Sequence, residues 1–212
     1  MTEHDPAGTA AGVLTAVLED SRGFGFLGPG PLAPQIEHAR GFASMVERAP
    51  ESFQDLGAGG GLPGLVLALH WPQTTGVLLD AMTRRSGFLR DACERLGLGE
   101  RIRVVCARAE DGARDPALRA QFELVVARSF GSPAVTAECG AGFLAPDGAL
   151  IVSEPPDDEP QRWPAGGLEL LGLTLEQAPR PESRYVVVRR TGAVDERYPR
   201  RTGIPRKRPL WP

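Results

Sequence analysis

The chain has 212 residues, of which 42% are hydrophobic, enough for one well-packed domain with an appendage. No apolar stretch approaches the ~18 residues of a membrane-spanning helix, and the acidic, polar N-terminus is not typical of a signal peptide. The three cysteines, Cys93, Cys106 and Cys139, are widely spaced in apolar surroundings, a pattern typical of free thiols and not of a metal site. These features predict a cytoplasmic protein without a metal ion and without a membrane anchor.

Charge is distributed unevenly along the chain. The net charge is −3, but residues 184–212 hold nine basic and two acidic residues, a net +7, which leaves −10 for the rest. A basic tail on an acidic body is typical of a segment that binds a polyanion. A solvated terminal arm would have the same composition, and charge alone leaves both interpretations open.

The N-terminal part predicts a helical cover. Residues 1–10 have the composition of a disordered segment, whereas residues 11–20 and 34–48 carry apolar residues at helical spacing. Residues 21–34, rich in glycine and proline, predict a loop between these helices. We expect residues 1–50 to be an extension that packs on the core.

From residue 51 to residue 195, short apolar segments alternate with amphipathic ones, which predicts parallel strands joined by helices. The predicted strands are 52–56, 77–80, 102–107, 123–127 and 149–153, followed by an antiparallel closing pair at 168–175 and 185–190. The predicted helices are 63–70, 84–96, 115–120 and 133–143. A turn is predicted at 146–148 and an acidic, proline-rich loop at 155–164. The expected fold class is α/β, with a mostly parallel seven-stranded sheet and helices on both faces.

The most informative stretch is residues 52–64, with the sequence SFQDLGAGGGLPG. An apolar run reaches Asp55, a glycine-rich turn follows, and Pro63 opens the next helix. Residues 59–64 fit the dinucleotide pattern G-x-G-x-x-G, and Asp80 ends the next strand at about the expected ~20-residue distance.

The position of Asp55 separates the possible ligands of this turn. A carboxylate at its mouth would repel a pyrophosphate, but it would attract the amino group of S-adenosylmethionine. Asp80 would then accept hydrogen bonds from the ribose hydroxyls. We favour S-adenosylmethionine over NAD, and a turn that only packs a helix on a sheet is the third interpretation.

Ligands of open parallel sheets lie beyond the carboxyl ends of the strands, at the point where the strand order reverses. The residues that follow the first four predicted strands are therefore the candidates. They are residues 57–62, Asp80, residues 108–110 and residues 128–130.

Several blocks of the sequence resemble one known family. DLGAGGGLPG at 55–64 resembles the first motif of the bacterial 16S rRNA guanine-N7 methyltransferases, the RsmG or GidB family. The blocks at 79–89, 108–110 and 126–130 are similar to its next three motifs, in the same order. RYPRRTGIPRKRPL at 197–210 closely resembles its basic C-terminal signature.

The resemblance implies a class I, Rossmann-like methyltransferase that uses S-adenosylmethionine and acts on 16S rRNA or the small ribosomal subunit. The family's cofactor contacts correspond to Gly57, Leu62, Asp80, Ala109, Glu110 and Arg128, and the glycine turn itself adds Asp55, Gly59 and Gly61. We expect residues 196–212 to form a basic C-terminal tail. Its expected RNA contacts are Arg200, Arg201, Arg206, Lys207 and Arg208.

Each of these residues has a plausible chemical role. Gly57 permits close approach of the methionine moiety, and Ala109 with Glu110 would contact the adenine edge. Arg128, the candidate catalytic residue, would pair with the cofactor carboxylate or with a substrate phosphate. An ion pair of Arg128 with Asp55 or Glu110 is the alternative.

The chain departs from the family pattern at two places. Residues 21–30, SRGFGFLGPG, do not match the family's Trp-Asn…Asn-Leu-Thr element. Ser153 and Glu154 stand where the family has a lysine-glycine, which puts a negative charge where an anionic RNA would approach. His38 lies near a family histidine in a loose match, and a lone helical histidine is more often structural.

The expected chemistry needs few catalytic groups. N7 of guanine has a lone pair and no proton, so that it attacks a sulfonium methyl without a general base once the partners are aligned. The sequence indeed has no evident catalytic dyad. The alternatives are a methyltransferase for a small molecule or another RNA, a non-catalytic binding protein on this fold, and a nicotinamide enzyme.

Overall fold

A computed structural model describes residues 6–155, 162–177 and 184–212, with no side-chain description for residues 6–9. The strands are β1 (Ser52–Leu56), β2 (Thr75–Asp80), β3 (Ile102–Cys106), β4 (Phe122–Arg128), β5 (Leu144–Ser153), β6 (Leu173–Gln177) and β7 (Tyr185–Arg190). The helices are α1 (Pro6–Gly23), α2 (Leu32–Gly41), α3 (Gly64–His70), α4 (Thr83–Arg95), α5 (Ala109–Gly112), α6 (Pro133–Ala141), α7 (Ala165–Glu169) and α8 (Ile204–Lys207). A short 3-10 helix at Ala43–Met45 follows α2.

The strands form one sheet in the order β3-β2-β1-β4-β5-β7-β6. Strands β1 to β5 are parallel, and β7 runs antiparallel to β5 and β6. The predicted mostly parallel sheet with an antiparallel closing pair is confirmed. The strand order reverses at β1 and β4, so a crevice lies beyond their carboxyl ends, where such sheets bind ligands.

Helices cover both faces of the sheet, as the sequence predicts. On one face, α1 to α4 bury an apolar core that includes Leu18, Leu65 and Leu89. On the other face, α5 to α7 and the C-terminal segment bury a second core that includes Phe143 and Trp211. The central strands are apolar on both sides because both sides are buried.

The predicted helix at 115–120 is wrong. These residues form turns, and the helix of this connection is instead α5, directly after β3. The Asp115 carboxylate accepts the Ala117 N–H at 2.9 Å, a local bond that competes with a helix, and Ala120 has a left-handed φ of 57°.

Two expectations near the sheet edge are also wrong. Residues 168–175 are not one strand, because α7 occupies the first part and Gly172, with a φ of 67°, separates it from β6. The predicted turn at 146–148 lies inside β5. Its Asp147 has a φ of 61°, and the β4–β5 register shifts between Phe122 and Leu124, so the turn residues form a bulge in a continuous strand.

The N-terminal cover extends further than predicted. Residues 6–10 belong to α1, so the disorder predicted for them is wrong. Residues 1–5, and residues 156–161 of the predicted acidic loop, lie outside the described residues. Helix α2 ends at Gly41 rather than continuing to residue 48, in keeping with the poor helix propensity of glycine.

The C-terminal segment packs against the core. The fully buried Glu138 of α6 accepts two bonds from the Arg200 guanidinium, at 2.8 and 2.7 Å, and a third from the Arg200 backbone N–H. The rings of Tyr198 and Trp211 are buried. The segment therefore packs against the core and does not extend as a solvated arm.

We expect Arg200→Met to destabilise the fold by about 3–5 kcal/mol, because it leaves the buried Glu138 carboxylate without its partner. Arg40→Met, which breaks the exposed pair of Arg40 with Glu37, is the matched control and should cost less than about 1 kcal/mol. Urea unfolding followed by circular dichroism measures both. Equal destabilisation by the two variants would contradict the proposed importance of the Arg200–Glu138 pair.

Candidate active site

A glycine turn connects β1 to α3 at the crevice. The N–H groups of Gly57 and Ala58 both donate to the Leu79 carbonyl at 2.9 Å, which ties the turn to the end of β2. Gly57, Gly59 and Gly61 have φ values of 77°, 54° and 101°, a backbone conformation that favours glycine. The three glycines predicted at the cofactor thus shape the turn.

Asp55 lies beneath this turn and is 1% exposed. Its Oδ2 accepts the Gly64 N–H at 2.7 Å, whereas its Oδ1 is buried without a hydrogen-bond partner among the described residues. Burial raises the pKa of the Asp55 carboxyl to about 7. An unpartnered buried acceptor is costly, and the amino group of a ligand bound at the turn would supply the missing donor.

Asp80, at the end of β2, braces the turn from the other side. Its Oδ2 accepts the Gly59 N–H at 3.0 Å, and its Oδ1 accepts the Met82 N–H at the start of α4 at 2.8 Å. The Arg85 Nη1 atom lies 3.8 Å from Asp80 Oδ2. Each carboxylate oxygen keeps acceptor capacity, so the predicted ribose contact is compatible with this geometry.

The remaining predicted cofactor residues are largely packed into the fold. Leu62 and Ala109 are buried and belong to the apolar cores on opposite faces of the sheet. Glu110 is also buried, and its Oε1 accepts the Gly203 N–H at 2.8 Å. The Glu110 carboxylate therefore holds the C-terminal segment against the loop that follows β3.

Arg128 ends β4, next to β1. Its Nη2 donates to Gln35 Oε1 of α2 at 3.3 Å, and its Nη1 is buried without a hydrogen-bond partner among the described residues. Burial lowers the pKa of Arg128, and the nearby charge of Asp55 opposes this. Within the described residues, no ion pair joins Arg128 to Asp55 or Glu110, and Arg128 lines a cavity beyond the end of β4.

A cavity of about 360 Å³ lies beyond the carboxyl ends of β4 and β5, beside Arg128. Its walls come from α2, from the two strand ends and from the segment before α7. The lining residues are His38, Arg128, Ser129, Phe130, Gly131, Val152, Ser153, Glu154, Pro155 and Arg162. A larger cavity of about 790 Å³ lies at the opposite, amino edge of the sheet, around Pro50 and Glu123, away from the glycine turn.

Two residues of the smaller cavity, His38 and Phe130, make contacts that the sequence did not predict. The His38 ring stacks on Tyr185 with centroids 5.3 Å apart, and burial together with Arg128 lowers the pKa of this histidine. Phe130 contacts the glycine turn, since a Cβ at Gly57 would lie 2.7 Å from its ring. These contacts join segments far apart in the chain, which a local pattern does not reveal.

The five predicted RNA-binding residues divide into two groups. The Arg200 guanidinium is engaged by Glu138 and also donates to the Arg208 carbonyl at 2.7 Å. The other four side chains are exposed and form no ion pair among the described residues; they are Arg201, Arg206, Lys207 and Arg208. They surround α8, on the segment that Glu110 binds.

No helix among the described residues is long and apolar enough to cross a membrane. In the same part of the chain, no group of three or more histidine, cysteine or acidic side chains has the arrangement of a metal site.

Proteins of one family match this chain. A model of the family described as GidB, rRNA small subunit methyltransferase G, matches residues 37–155. A protein named ribosomal RNA small subunit methyltransferase G from Synechococcus sp. (strain RCC307) is 37% identical over 164 residues, which cover 74% of this chain and 69% of that protein. A protein of the same name from Streptococcus pyogenes serotype M12 (strain MGAS9429) is 29% identical over 204 residues, which cover 93% of this chain and 83% of that protein.

Solved structures show the same fold. An O-methyltransferase from Bacillus cereus in complex with SAH has a TM-score of 0.60 at 15% identity, covering 84% of this chain and 90% of that one. The mitomycin 7-O-methyltransferase MmcR has a TM-score of 0.60 at 16% identity, and the match covers 74% of this chain and 54% of that one. These likenesses confirm the predicted class I, Rossmann-like methyltransferase fold, and fold alone does not assign a substrate. The family match does: the chain belongs to the rRNA small subunit methyltransferase G family, and it is an S-adenosylmethionine-dependent rRNA methyltransferase.

Proposed function

We propose that this enzyme methylates N7 of a guanine in 16S rRNA, in the cytoplasm. The observation that supports this best is the juxtaposition at the crevice. The glycine turn, with the unpartnered Asp55 Oδ1, lies on β1, and the cavity beside Arg128 lies on the adjacent strands β4 and β5. A cofactor on the turn and a base in the cavity would be neighbours.

The residues of the turn fit the cofactor. Asp55 would hold the amino group, Asp80 the ribose, and the glycines let the backbone approach closely. When bound, S-adenosylmethionine supplies an electrophilic methyl group on a sulfonium. The guanidinium of Arg128, which lines the cavity, would pair with the cofactor carboxylate or with a phosphate of the RNA.

The protein contributes positioning and exclusion of water. N7 of guanine is already a nucleophile, since its lone pair lies in the ring plane and carries no proton. The cavity needs only to align that nitrogen with the methyl group, and alignment alone supplies a large part of a rate enhancement. A methyltransferase of this kind therefore needs no residue that removes a proton from N7.

Transfer of labelled methyl groups to 30S particles and to naked 16S rRNA tests this function. We expect the labelled nucleoside, released by nuclease digestion, to be 7-methylguanosine. A panel of metabolites and other RNAs is the control for substrate class. Label in any nucleoside other than 7-methylguanosine would contradict the proposal.

We expect Asp55→Asn to weaken S-adenosylmethionine binding by about 10- to 100-fold at pH 8, the size of a hydrogen bond to a charged group. The wild-type affinity should fall as the pH drops below about 7, because the Asp55 carboxyl is then protonated, whereas the affinity of the variant should not change. Calorimetric titration at pH 6, 7 and 8 measures both effects. Parallel pH profiles would contradict the role of Asp55.

The same substitution, although it should weaken cofactor binding, should raise the stability of the ligand-free protein at high pH. The pKa of Asp55 is higher in the folded protein than its ordinary value of 3.8, so the ligand-free wild type loses stability as the pH rises from about 4 to about 7. Asp55→Asn removes this ionisation and should stabilise the ligand-free protein at pH 8. Thermal unfolding at pH 5 and pH 8 separates this effect from general misfolding, which would destabilise at both.

The exposed cations of the C-terminal segment should bind the RNA backbone. Replacement of Arg201, Arg206, Lys207 and Arg208 by glutamine should weaken RNA binding and flatten its dependence on salt, by about 0.7–0.9 in logarithmic slope for each phosphate that is no longer neutralised. Replacement of the cations that line the amino-edge cavity, Arg48 and Arg189, is the control and should leave the slope unchanged. Filter binding between low and high salt measures the slopes. The same slope in the tail variant and the wild type would exclude this RNA interface.

A further inference from the structure

The two sides of the cavity beside Arg128 differ in their distance from the glycine turn, because of the strand order. β1, with the glycine turn, neighbours β4, and β4 neighbours β5, whose end is followed by Glu154. Neighbouring strands lie about 4.8 Å apart, so Glu154 lies on the wall about two strand spacings from the turn. One side of the cavity thus faces the cofactor turn, and Glu154 lies on the other side.

The Glu154 carboxylate is desolvated and held in place. Its side chain is 7% exposed, the Arg162 guanidinium binds one carboxylate oxygen, and Trp163 Nε1 donates to the other at 3.3 Å. The Glu154 backbone N–H donates to the Arg184 carbonyl at 2.8 Å. A carboxylate has about four acceptor positions, and these two side-chain donors use two of them. Glu154 therefore keeps acceptor capacity while Arg162 and Trp163 hold its carboxylate.

We propose that Glu154 recognises the target base, by accepting hydrogen bonds from N1–H and the 2-amino group of guanine. This inference rests on the proposed guanine specificity. Enzymes that modify a base bind it in a pocket and recognise its Watson–Crick edge. Guanine is the RNA base that presents two adjacent N–H donors on that edge, and two parallel donors match a carboxylate in the way that an arginine fork does.

This contact orients the base for the reaction. N7 lies on the opposite side of the purine from N1 and the 2-amino group. A guanine whose Watson–Crick edge lies against Glu154 therefore presents N7 towards β4 and β1, where the glycine turn is. Adenine and cytosine each offer a single donor flanked by an acceptor on this edge, and the acceptor would face the carboxylate unfavourably.

The negative charge of Glu154 is also complementary to the positive charge of the N7-methylated product. Methylation at N7 gives the purine a positive charge and makes N1–H a stronger donor. A fixed carboxylate at that edge stabilises the developing charge. The negative residue at this position thus binds the base, while the phosphates are left to Arg128 and the exposed cations of the tail.

Burial supports an effect of pH on this contact. Desolvation raises the pKa of Glu154, whereas the Arg162 charge and the Trp163 hydrogen bond lower it. The other titratable groups that line the cavity are His38, whose pKa is lowered, and Arg128. The carboxylate form, which accepts the bonds, is favoured as the pH rises.

Nucleotide binding tests the contact without methyl transfer. The probes are GMP, IMP, which lacks the 2-amino group, and 7-methyl-GMP, each titrated into the protein with S-adenosylhomocysteine present. We expect the wild type to bind GMP at least about 10-fold more tightly than it binds IMP. We also expect it to bind 7-methyl-GMP more tightly than GMP. Glu154→Gln should lose both preferences. Equal affinities in the wild type, or no saturable binding of GMP and 7-methyl-GMP at millimolar concentration, would overturn the proposal.

Arg162→Met is the matched control, because it breaks the Arg162–Glu154 pair but keeps the carboxylate. It should retain the preference for 7-methyl-GMP over GMP. If Glu154 only served to anchor Arg162, the two variants would show the same loss, which would exclude a base contact.

Methylation of 30S particles separates this inference from the proposed function. We expect Glu154→Gln to form 7-methylguanosine about 10- to 100-fold more slowly, with unchanged affinity for S-adenosylmethionine. Undiminished 7-methylguanosine formation by this variant would overturn the role of Glu154 alone. If the wild type formed no 7-methylguanosine, the proposed function would fail, and the nucleotide titrations would still decide whether Glu154 binds guanine.

Discussion

Two carboxylates hold the glycine turn in place, and the rest of the site depends on them. Asp55 accepts the Gly64 N–H and Asp80 accepts the Gly59 N–H, so that acids at the ends of adjacent strands fix both halves of the turn. Both side chains are nearly excluded from solvent. The Asp55 charge is costly in that environment, and the same desolvation strengthens its attraction for a cationic ligand group.

The C-terminal segment, which carries the proposed RNA contacts, is anchored beside both parts of the site. Its Gly203 N–H binds Glu110, beside the loop that follows β3. Its Trp211 indole donates to the Arg162 carbonyl at 3.0 Å, at the wall of the cavity. The exposed cations between these anchors are therefore presented from a fixed backbone. The proposed contacts with the RNA backbone and with the target base then belong to one packed unit.

Local sequence predicted the parts of the site that are local in structure. The acid, the glycines and the proline of residues 55–64 are contiguous, and each is required by the strand–turn–helix connection that they form. The alternation of apolar strands and helices predicted the parallel sheet for the same reason. Local turn preferences misled where tertiary pairing prevailed, as at Asp147, which β5 accommodates in a bulge.

The amino-acid sequence by itself determined the fold class, the glycine turn with its two acids and the presence of a basic tail, because these follow from patterns within one or two elements. Only the tertiary structure decided which charges are available. It pairs Arg200 with Glu138 across 62 residues and sets Tyr185 against His38 across 147 residues. It also buries Nη1 of Arg128 without a hydrogen-bond partner among the described residues. Burial and pairing depend on the packing of distant segments, and that packing turns a set of charged residues into an active site.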